Sequence, residues 1–353
     1  MKYRGITLSL IICSILSVLF LSSELYAEER LPIPFLEEPS PTFNSIDIGF
    51  SLKEYSWYFP NDGPFSEVEL PGKLEGLKAI LPKGICFGMC LTAGLSYLNK
   101  IPLPKCKDPY LLPEVWKKTI YNAQYEGVNL YAGPLGWWVI PKITTRLYLT
   151  PKRIIAELES SLRSKVPCIL FVKLKDTKKN HTVLAYGIEV ENEDIKILVY
   201  DPNFPLEERQ IEFKRNINTG EVETIDHYYE TIFYMWKIKK IVEIPKGTYR
   251  CNTDSGRVEI IKISTTPVSG GTRIDFRVRN NSSFKKWIQF SIDYTVSGKL
   301  WSDVGMGLDN VILEVGEVKE FSYVFRIKDI KRVKLKIKNR YTQDVIGEYW
   351  INL

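Results

Sequence analysis

Histidine is the scarcest chemistry-bearing residue in this chain: there are two in 353 residues, His181 and His227. An imidazole base, or a histidine metal site, therefore has almost no freedom of placement. Close clusters of metal ligands are also lacking. Cys86 and Cys90 have zinc-compatible spacing and Cys106 would be a third ligand, but no second close pair follows, and a structural zinc takes four. No metal and no cofactor is expected. A Gly-rich phosphate loop, a serine nucleophile elbow and an HExxH helix are absent, which removes nucleotide, serine-hydrolase and zinc-protease readings. One-sided charge is lacking too: 48 Lys and Arg stand against 42 Asp and Glu, a net charge of +6 with pI about 8.8. That is far from the basic stripe of a nucleic-acid binder, so no nucleic-acid partner is expected. Short lysine groups such as Lys173, Lys175, Lys178 and Lys179 read as solvated faces. Heptads, long repeats and low-complexity tracts do not occur.

What is present is ordinary globular material, 44% hydrophobic and 25% charged, enough for two folded domains and a leader. The leader is residues 1–27: Lys2 and Arg4, an apolar run from Ile6 to Leu21, then Ser22, Ser23 and Leu25-Tyr26-Ala27 with a plausible cut after Ala27. It reads as a signal peptide or, uncleaved, as an N-terminal anchor at the short end of bilayer-spanning length. Cys13 follows Ile12 rather than a small residue, which argues against a lipid attachment site. An exported location is expected either way, with membrane contact only through an uncleaved N-terminus. Residues 28–45 form an extended arm rich in Pro and Glu. Residues 46–245 form the next unit, and after about 246 short period-two segments such as Arg273 to Val278 and Trp287 to Tyr294 predict a β-sandwich over 246–353.

Within 46–245 the periodicity predicts a helix from near Cys86, ending by Asn99 and Lys100. A second helix, 151–164, has Thr150 as N-cap and Pro151 at its first position. Strands follow at 168–174, 181–190 and 195–200, the last two joined as a hairpin at Glu191 to Asp194. After the leader five cysteines remain: Cys86, Cys90, Cys106, Cys168 and Cys251. An odd number in an oxidising compartment leaves at least one thiol unpaired in the chain, with up to two disulfides among the rest. Cys168, in an apolar run, reads as core.

Cys86 lies at a helix start, where unsatisfied backbone N–H groups favour a thiolate. His181 opens a strand. Asp201 closes the hairpin partner in Tyr200-Asp201-Pro202-Asn203, placed to orient the imidazole. A thiolate, a proton shuttle and an orienting group are what nucleophilic catalysis needs. Asn203 is an alternative orienting group, and Cys90 an alternative nucleophile with Cys86 tied in a disulfide. His227 reads as a surface residue. Gly84 and Gly88 leave the approach to Cys86 open, and its backbone N–H would serve an oxyanion hole.

This order of residues resembles the papain-like cysteine peptidases. It is closest to the bacterial papain-like-fold proteins with Gly-x-Cys-x-Gly-Met and Tyr-Asp-Pro-Asn, present here as Gly84 to Met89 and Tyr200 to Asn203. The likeness covers roughly 45–240. It implies an α+β papain-like cysteine hydrolase domain, followed here by the all-β sandwich of Ig-like type. It also implies Cys86 as nucleophile, His181 as base and Asp201 as orienter. Met89 stands where those enzymes have an aromatic residue. Six residues before the Cys, where they carry a Gln oxyanion donor, stands Ile80, and Asn61 is the substitute candidate. The expected function is that of an exported cysteine peptidase or amidase working through a thioester. Its partner would be a peptide or amide-containing substrate such as a surface protein or a cell-wall cross-link. Aromatic residues of 46–60 and the run Gly133 to Trp138 would line a cleft or fill the core. The rival reading is a papain-like domain that has lost catalysis and binds a partner together with the sandwich.

Overall fold

The computed structural model describes residues 40–62, 84–132, 150–177, 179–238, 242–254, 256–296, 299–308, 310–327, 330 and 332–353. The leader, the arm before residue 40, Ile80 and the run Gly133 to Trp138 lie outside the described residues.

Four α-helices occur among the described residues: α1 (Leu52–Tyr55), α2 (Cys86–Asn99), α3 (Glu114–Ala132) and α4 (Pro151–Arg163). In α4 the Thr150 hydroxyl accepts from the Arg153 N–H at 3.3 Å, and Ile154, Ile155, Leu158 and Leu162 are buried on one face. Glu159 of the same helix is also buried. It accepts from the Thr42 N–H (2.7 Å), the Thr42 hydroxyl (3.0 Å) and the Asn44 N–H (3.1 Å), donors that replace lost water.

α2 is the central helix and is buried from Cys86 to Ser96. Its N-cap residue is Ile85, which has no side-chain acceptor, and a buried helix start without a cap leaves orphan N–H groups. Side chains from elsewhere take two of the N–H groups there. Asn61 Oδ1 accepts from Ile85 N–H at 2.8 Å, and Gln124 Oε1 on α3 accepts from Gly88 N–H at 2.9 Å. That close approach requires glycine at 88, because a Cβ would run into the backbone carbonyl of Ile120. The helix ends at Lys100, which takes a left-handed φ of 54° and returns its N–H to the Ser96 and Tyr97 carbonyls.

Strands dominate the remainder. β1 (Ile46–Asp47), β2 (Cys168–Leu174), β3 (Asn180–Glu191), β4 (Asp194–Tyr200), β5 (Arg209–Arg215), β6 (Val222–Thr224) and β7 (Tyr229–Lys237) form one antiparallel sheet, ordered β6-β5-β4-β3-β2-β7. β2 pairs with residues 180–185 of β3, and β1 takes over the same edge at Gly187 and Ile188. From β2 to β6 each strand pairs with its chain neighbour, and β7 returns to the free edge of β2. The sheet is nearly closed and barrel-like. Its apolar side chains form the first core with α2, α3 and α4.

β8 (Val258–Val268), β9 (Gly271–Asn280) and β13 (Val318–Phe325) make a three-stranded sheet ordered β13-β9-β8. β10 (Lys286–Val296), β11 (Lys299–Gly305), β12 (Val311–Leu313), β14 (Arg332–Asn339) and β15 (Val345–Asn352) make a five-stranded one, ordered β11-β10-β14-β15 with β12 on β10. In β14, Val333, Leu335 and Ile337 are buried and the lysines between them are not, so period-two patterning turns one face to a second core.

The expected class, an α+β papain-like domain followed by an all-β Ig-like sandwich, is overturned. Strand accounts for 44% of the chain and helix for 18%. The physical reason lies after Pro167. There successive period-two segments are joined by short turns, β3 to β6 each pair with the strand before them and β7 returns to β2, so the sheet curls as a meander.

Residues 41–353 make one compact unit. The disulfide Cys106–Cys251 links positions 145 residues apart in sequence, and the Asn252 N–H donates to the Leu111 carbonyl at 2.8 Å. Asn339 Nδ2 donates to Asp108 Oδ2 at 2.7 Å, both side chains buried, and Lys286 forms a buried ion pair with Asp254. Tyr341, just beyond β14, sets its ring against Trp287 (4.8 Å between centroids) and Tyr110 (6.0 Å).

Candidate active site

The β3–β4 hairpin sets the base and its orienting acid. Glu191 pairs with Asp194 across a two-residue turn, in which Asn192 takes a left-handed φ of 54°. At the other end of the hairpin Leu184 pairs with Tyr200. Asp201 follows Tyr200 directly and His181 lies three residues before Leu184, so both side chains stand at the same end. His181 Nε2 and Asp201 Oδ1 are 2.6 Å apart, with both residues buried. Asp201 Oδ1 also accepts from the Asn203 N–H at 2.8 Å, and Oδ2 accepts from the Tyr229 hydroxyl at 2.7 Å. Tyr229 opens β7, where it pairs with Leu174 of β2, and Val172 of β2 pairs with His181. Three strand ends thus converge on one carboxylate.

Cys86 is the first residue of α2 and hydrogen-bonds the His181 side chain. With Nε2 engaged by Asp201, Nδ1 is the ring nitrogen left for the sulfur. Burial raises the Cys86 thiol, but the hydrogen bond and charge of His181, with lesser help from the Thr182 side chain and backbone, hold it below the ordinary thiol value. Burial pulls His181 down, while Asp201 and Cys86 push it up, to about 10. Burial opposes charge on Asp201 as well, yet His181, then Tyr229 and the Asn203 backbone, keep its carboxyl below the usual carboxylate range. The three groups are coupled: Asp201 and Cys86 favour the protonated imidazole, and His181 in turn lowers the pKa of both.

The secondary candidates separate. Cys90 lies one turn further along α2, fully buried, and its thiol donates to the Thr182 carbonyl at 3.4 Å. Burial, with the neighbouring Cys86 and Asp201, raises it well above the ordinary thiol value, so it is held neutral. Cys86 and Cys90 are both free, and the disulfide partner of Cys106 is Cys251. Cys168 is free and buried in β2, pushed up to about 11, chiefly by burial. Asn203 serves Asp201 through its backbone N–H, and its side chain goes to Tyr228. Asn61 sits beside Gly84, with Nδ2 3.1 Å from where a Cβ at Gly84 would lie. Its Oδ1 accepts from the Ile85 N–H at 2.8 Å, which holds the carboxamide next to the start of α2. His227 is exposed. Phe50, Trp57 and Phe59 of the 46–60 segment are core residues rather than a cleft lining.

Sequence reasoning missed Tyr229, Thr182 and Gln124. Thr182 follows His181 directly. Asp226 carried a partial signal for Tyr229, since its Oδ1 caps the Tyr228 and Tyr229 N–H groups at 2.7 Å each. Nothing local says that the Tyr229 hydroxyl reaches Asp201. Among the described residues no group of three or more His, Cys, Asp or Glu is disposed to hold a metal ion. No described helix is long and apolar enough to cross a membrane.

No protein-family model matches the chain. No curated protein matches it either. Among solved structures, the exo-chitosanase CsxA of Amycolatopsis orientalis is similar over 53% of this chain and 24% of that one, at 11% identity and a TM-score of 0.22. A second structure, of the exo-β-D-glucosaminidase CsxA studied with inhibitors, gives 10% identity, the same coverage and a TM-score of 0.22. The chain thus spans about a quarter of those enzymes' length (24%), and a likeness this slight carries nothing about fold or activity.

Proposed function

We propose that the protein is an exported cysteine hydrolase of peptidase or amidase type, acting on a peptide or amide-containing substrate. The observation that carries the reading is the buried chain Cys86–His181–Asp201–Tyr229, in which His181 is bound on both sides and held protonated beside a thiol of lowered pKa. Buried ion pairs are costly to maintain, and a purely structural core has no need of this one.

The chemistry follows from the arrangement. The Cys86 thiolate adds to the substrate carbonyl carbon, and the carbonyl electron pair moves onto oxygen. On this reading the Cys86 backbone N–H, at a helix N-terminus, and Asn61 Nδ2 donate to that oxyanion. As the carbon–nitrogen bond breaks, His181 Nδ1 gives its proton to the leaving amine and a thioester remains on Cys86. Water then attacks the thioester. His181 takes the proton of that water, the carboxylic acid departs, and the thiolate is restored. Asp201 keeps the ring oriented and stabilises the imidazolium throughout. The Cys106–Cys251 disulfide supports export, because such bonds persist in oxidising compartments.

The test is the pH dependence of alkylation of the full chain by iodoacetamide, with the modified residue mapped by mass spectrometry. The expected result is fast single-site labelling of Cys86 below about pH 7, slowed in His181→Ala. Labelling that rises only near the free-thiol value of about 8.5 would overturn the proposal.

A further inference from the structure

Residues 61 and 62 are held from three directions. The Asn61 N–H donates to the Pro202 carbonyl at 2.8 Å, next to Asp201. Asn61 Oδ1 accepts from the Ile85 N–H at 2.8 Å, next to Cys86. The third support comes from the far end of the chain: the Tyr341 hydroxyl donates to the Asp62 carbonyl at 3.3 Å, and Arg340 beside it opposes the rise that burial imposes on the Asp62 carboxyl. Arg340 and Tyr341 lie in the turn between β14 and β15, which is itself well fixed. Asn339 Oδ1 accepts from the Tyr341 and Thr342 N–H groups at 2.9 and 3.2 Å, and Asn339 Nδ2 is the group that binds Asp108.

We propose that this turn is a positioning device for the site: Tyr341 fixes the 61–62 backbone and so aims the Asn61 carboxamide at the oxyanion formed on Cys86. The inference rests on the reading of Cys86 as an acylating nucleophile. The Tyr341 ring packs against the first core, and its hydroxyl ties the residue next to Asn61 to the turn between β14 and β15. Oxyanion donors act only within a tolerance of about 0.5 Å, so a support one residue away has leverage. On this view the C-terminal sheets complete the catalytic geometry rather than merely accompany it.

Two probes separate the steps. In alkylation by iodoacetamide the thiolate displaces iodide, a C–S bond replaces C–I, and no carbonyl oxyanion arises. With p-nitrophenyl acetate the thiolate adds to the carbonyl, an oxyanion forms, p-nitrophenolate leaves, and water hydrolyses the acetyl thioester. Asn61→Ala is expected to lower kcat for p-nitrophenol release by about a hundredfold or more, the usual cost of one lost oxyanion donor. Tyr341→Ala should lower it by about tenfold, inside the roughly hundredfold that a misplacement remote from the chemistry can cost. Tyr341→Phe, which keeps the ring and loses the donor, should fall less, with KM and Cys86 alkylation unchanged in both. In the double variant Tyr341→Ala should add little to Asn61→Ala, because the two act through one donor. Full kcat in a folded Tyr341→Phe and Tyr341→Ala, or a loss that adds fully to that of Asn61→Ala, overturns the inference. If Tyr341→Ala does not fold, Tyr341→Phe decides alone. Rapid Cys86 alkylation in the parent protein keeps the reading of the nucleophile standing whichever way Tyr341 falls. Slow alkylation, with release of p-nitrophenol that survives Cys86→Ala, sinks the reading and the inference with it.

Discussion

Tyr229→Phe removes one atom from the centre of the site. In the parent protein the buried Asp201 carboxylate receives hydrogen bonds from His181, the Asn203 N–H and the Tyr229 hydroxyl. The variant keeps the ring and its packing and leaves Oδ2 without its donor. A hydrogen bond to a charged group contributes about 1.5–3 kcal/mol, so the variant should lose about that much stability at pH 7. The loss has a pH signature. The folded-state pKa of Asp201 is depressed, so its contribution is present above the unfolded carboxylate value and fades as pH falls through the lower folded one. Removing the Tyr229 donor raises the folded-state pKa of Asp201. The variant then takes up its proton at higher pH than the parent, and the stability gap narrows as pH falls into the carboxylate range. The assay is urea unfolding followed by tryptophan fluorescence, since Trp57 and Trp116 are fully buried in the first core. A loss under about 0.5 kcal/mol at pH 7, or a gap that does not narrow as the pH falls below the unfolded carboxylate value, refutes the reasoning.

The other expectations are more direct. With only two histidines, one of them exposed, the ring resonances can be followed by NMR of isotope-labelled protein: His181 should lose its proton near pH 10, and at lower pH in Cys86→Ala, where a supporting charge is gone and burial still opposes the imidazolium. A Cβ at Gly88 meets the α3 backbone, so Gly88→Ala should cost roughly 1–3 kcal/mol in urea unfolding and slow Cys86 alkylation by displacing the start of α2. Replacing Cys106 and Cys251 together by Ala opens a loop spanning 145 residues, for which chain entropy gives about 5 kcal/mol; the first-core transition should move to lower urea. Cys90→Ala should leave single-site labelling at Cys86 in place, read by the same mass mapping, since Cys90 is held as a neutral thiol.

Local physics made some of this legible and topology hid the rest. Thr150 with Pro151 and the face Ile154 to Leu162 specify α4 without help from outside the segment, and the structure has it at Pro151–Arg163. Cys86, His181 and Asp201 stand out because each falls at the end of an element, where a side chain can face a shared space. Asn61 is visible only as an amide near a turn. Its role depends on α2 lacking a cap of its own, so that the Ile85 N–H needs an acceptor from elsewhere. Tyr229 and Gln124 reach the site across β2 and from α3, distances that no local pattern encodes. The fold class was misread for a related reason. Period-two segments announce strands, but whether they pair as a curling meander or lie beside a helical layer is decided by pairing that alternation alone leaves open. The cysteines allowed three pairings for any four, and which thiols met was a matter of tertiary contact.

The hairpin that carries His181 and Asp201 has a temporal consequence. It joins residues only 20 apart in sequence, and such local pairing forms within microseconds. Cys86 comes much earlier in the chain, and its contact with the hairpin is a long-range one that forms late, after the loop between them has been closed. During synthesis the thiol therefore emerges well before its base. Until α2 docks on the finished sheet, Cys86 is a thiol of ordinary acidity, slow toward the electrophiles and oxidants the nascent chain meets. On the proposed reading its reactivity switches on only when α2 docks on the sheet, so folding itself times the appearance of the activated thiol.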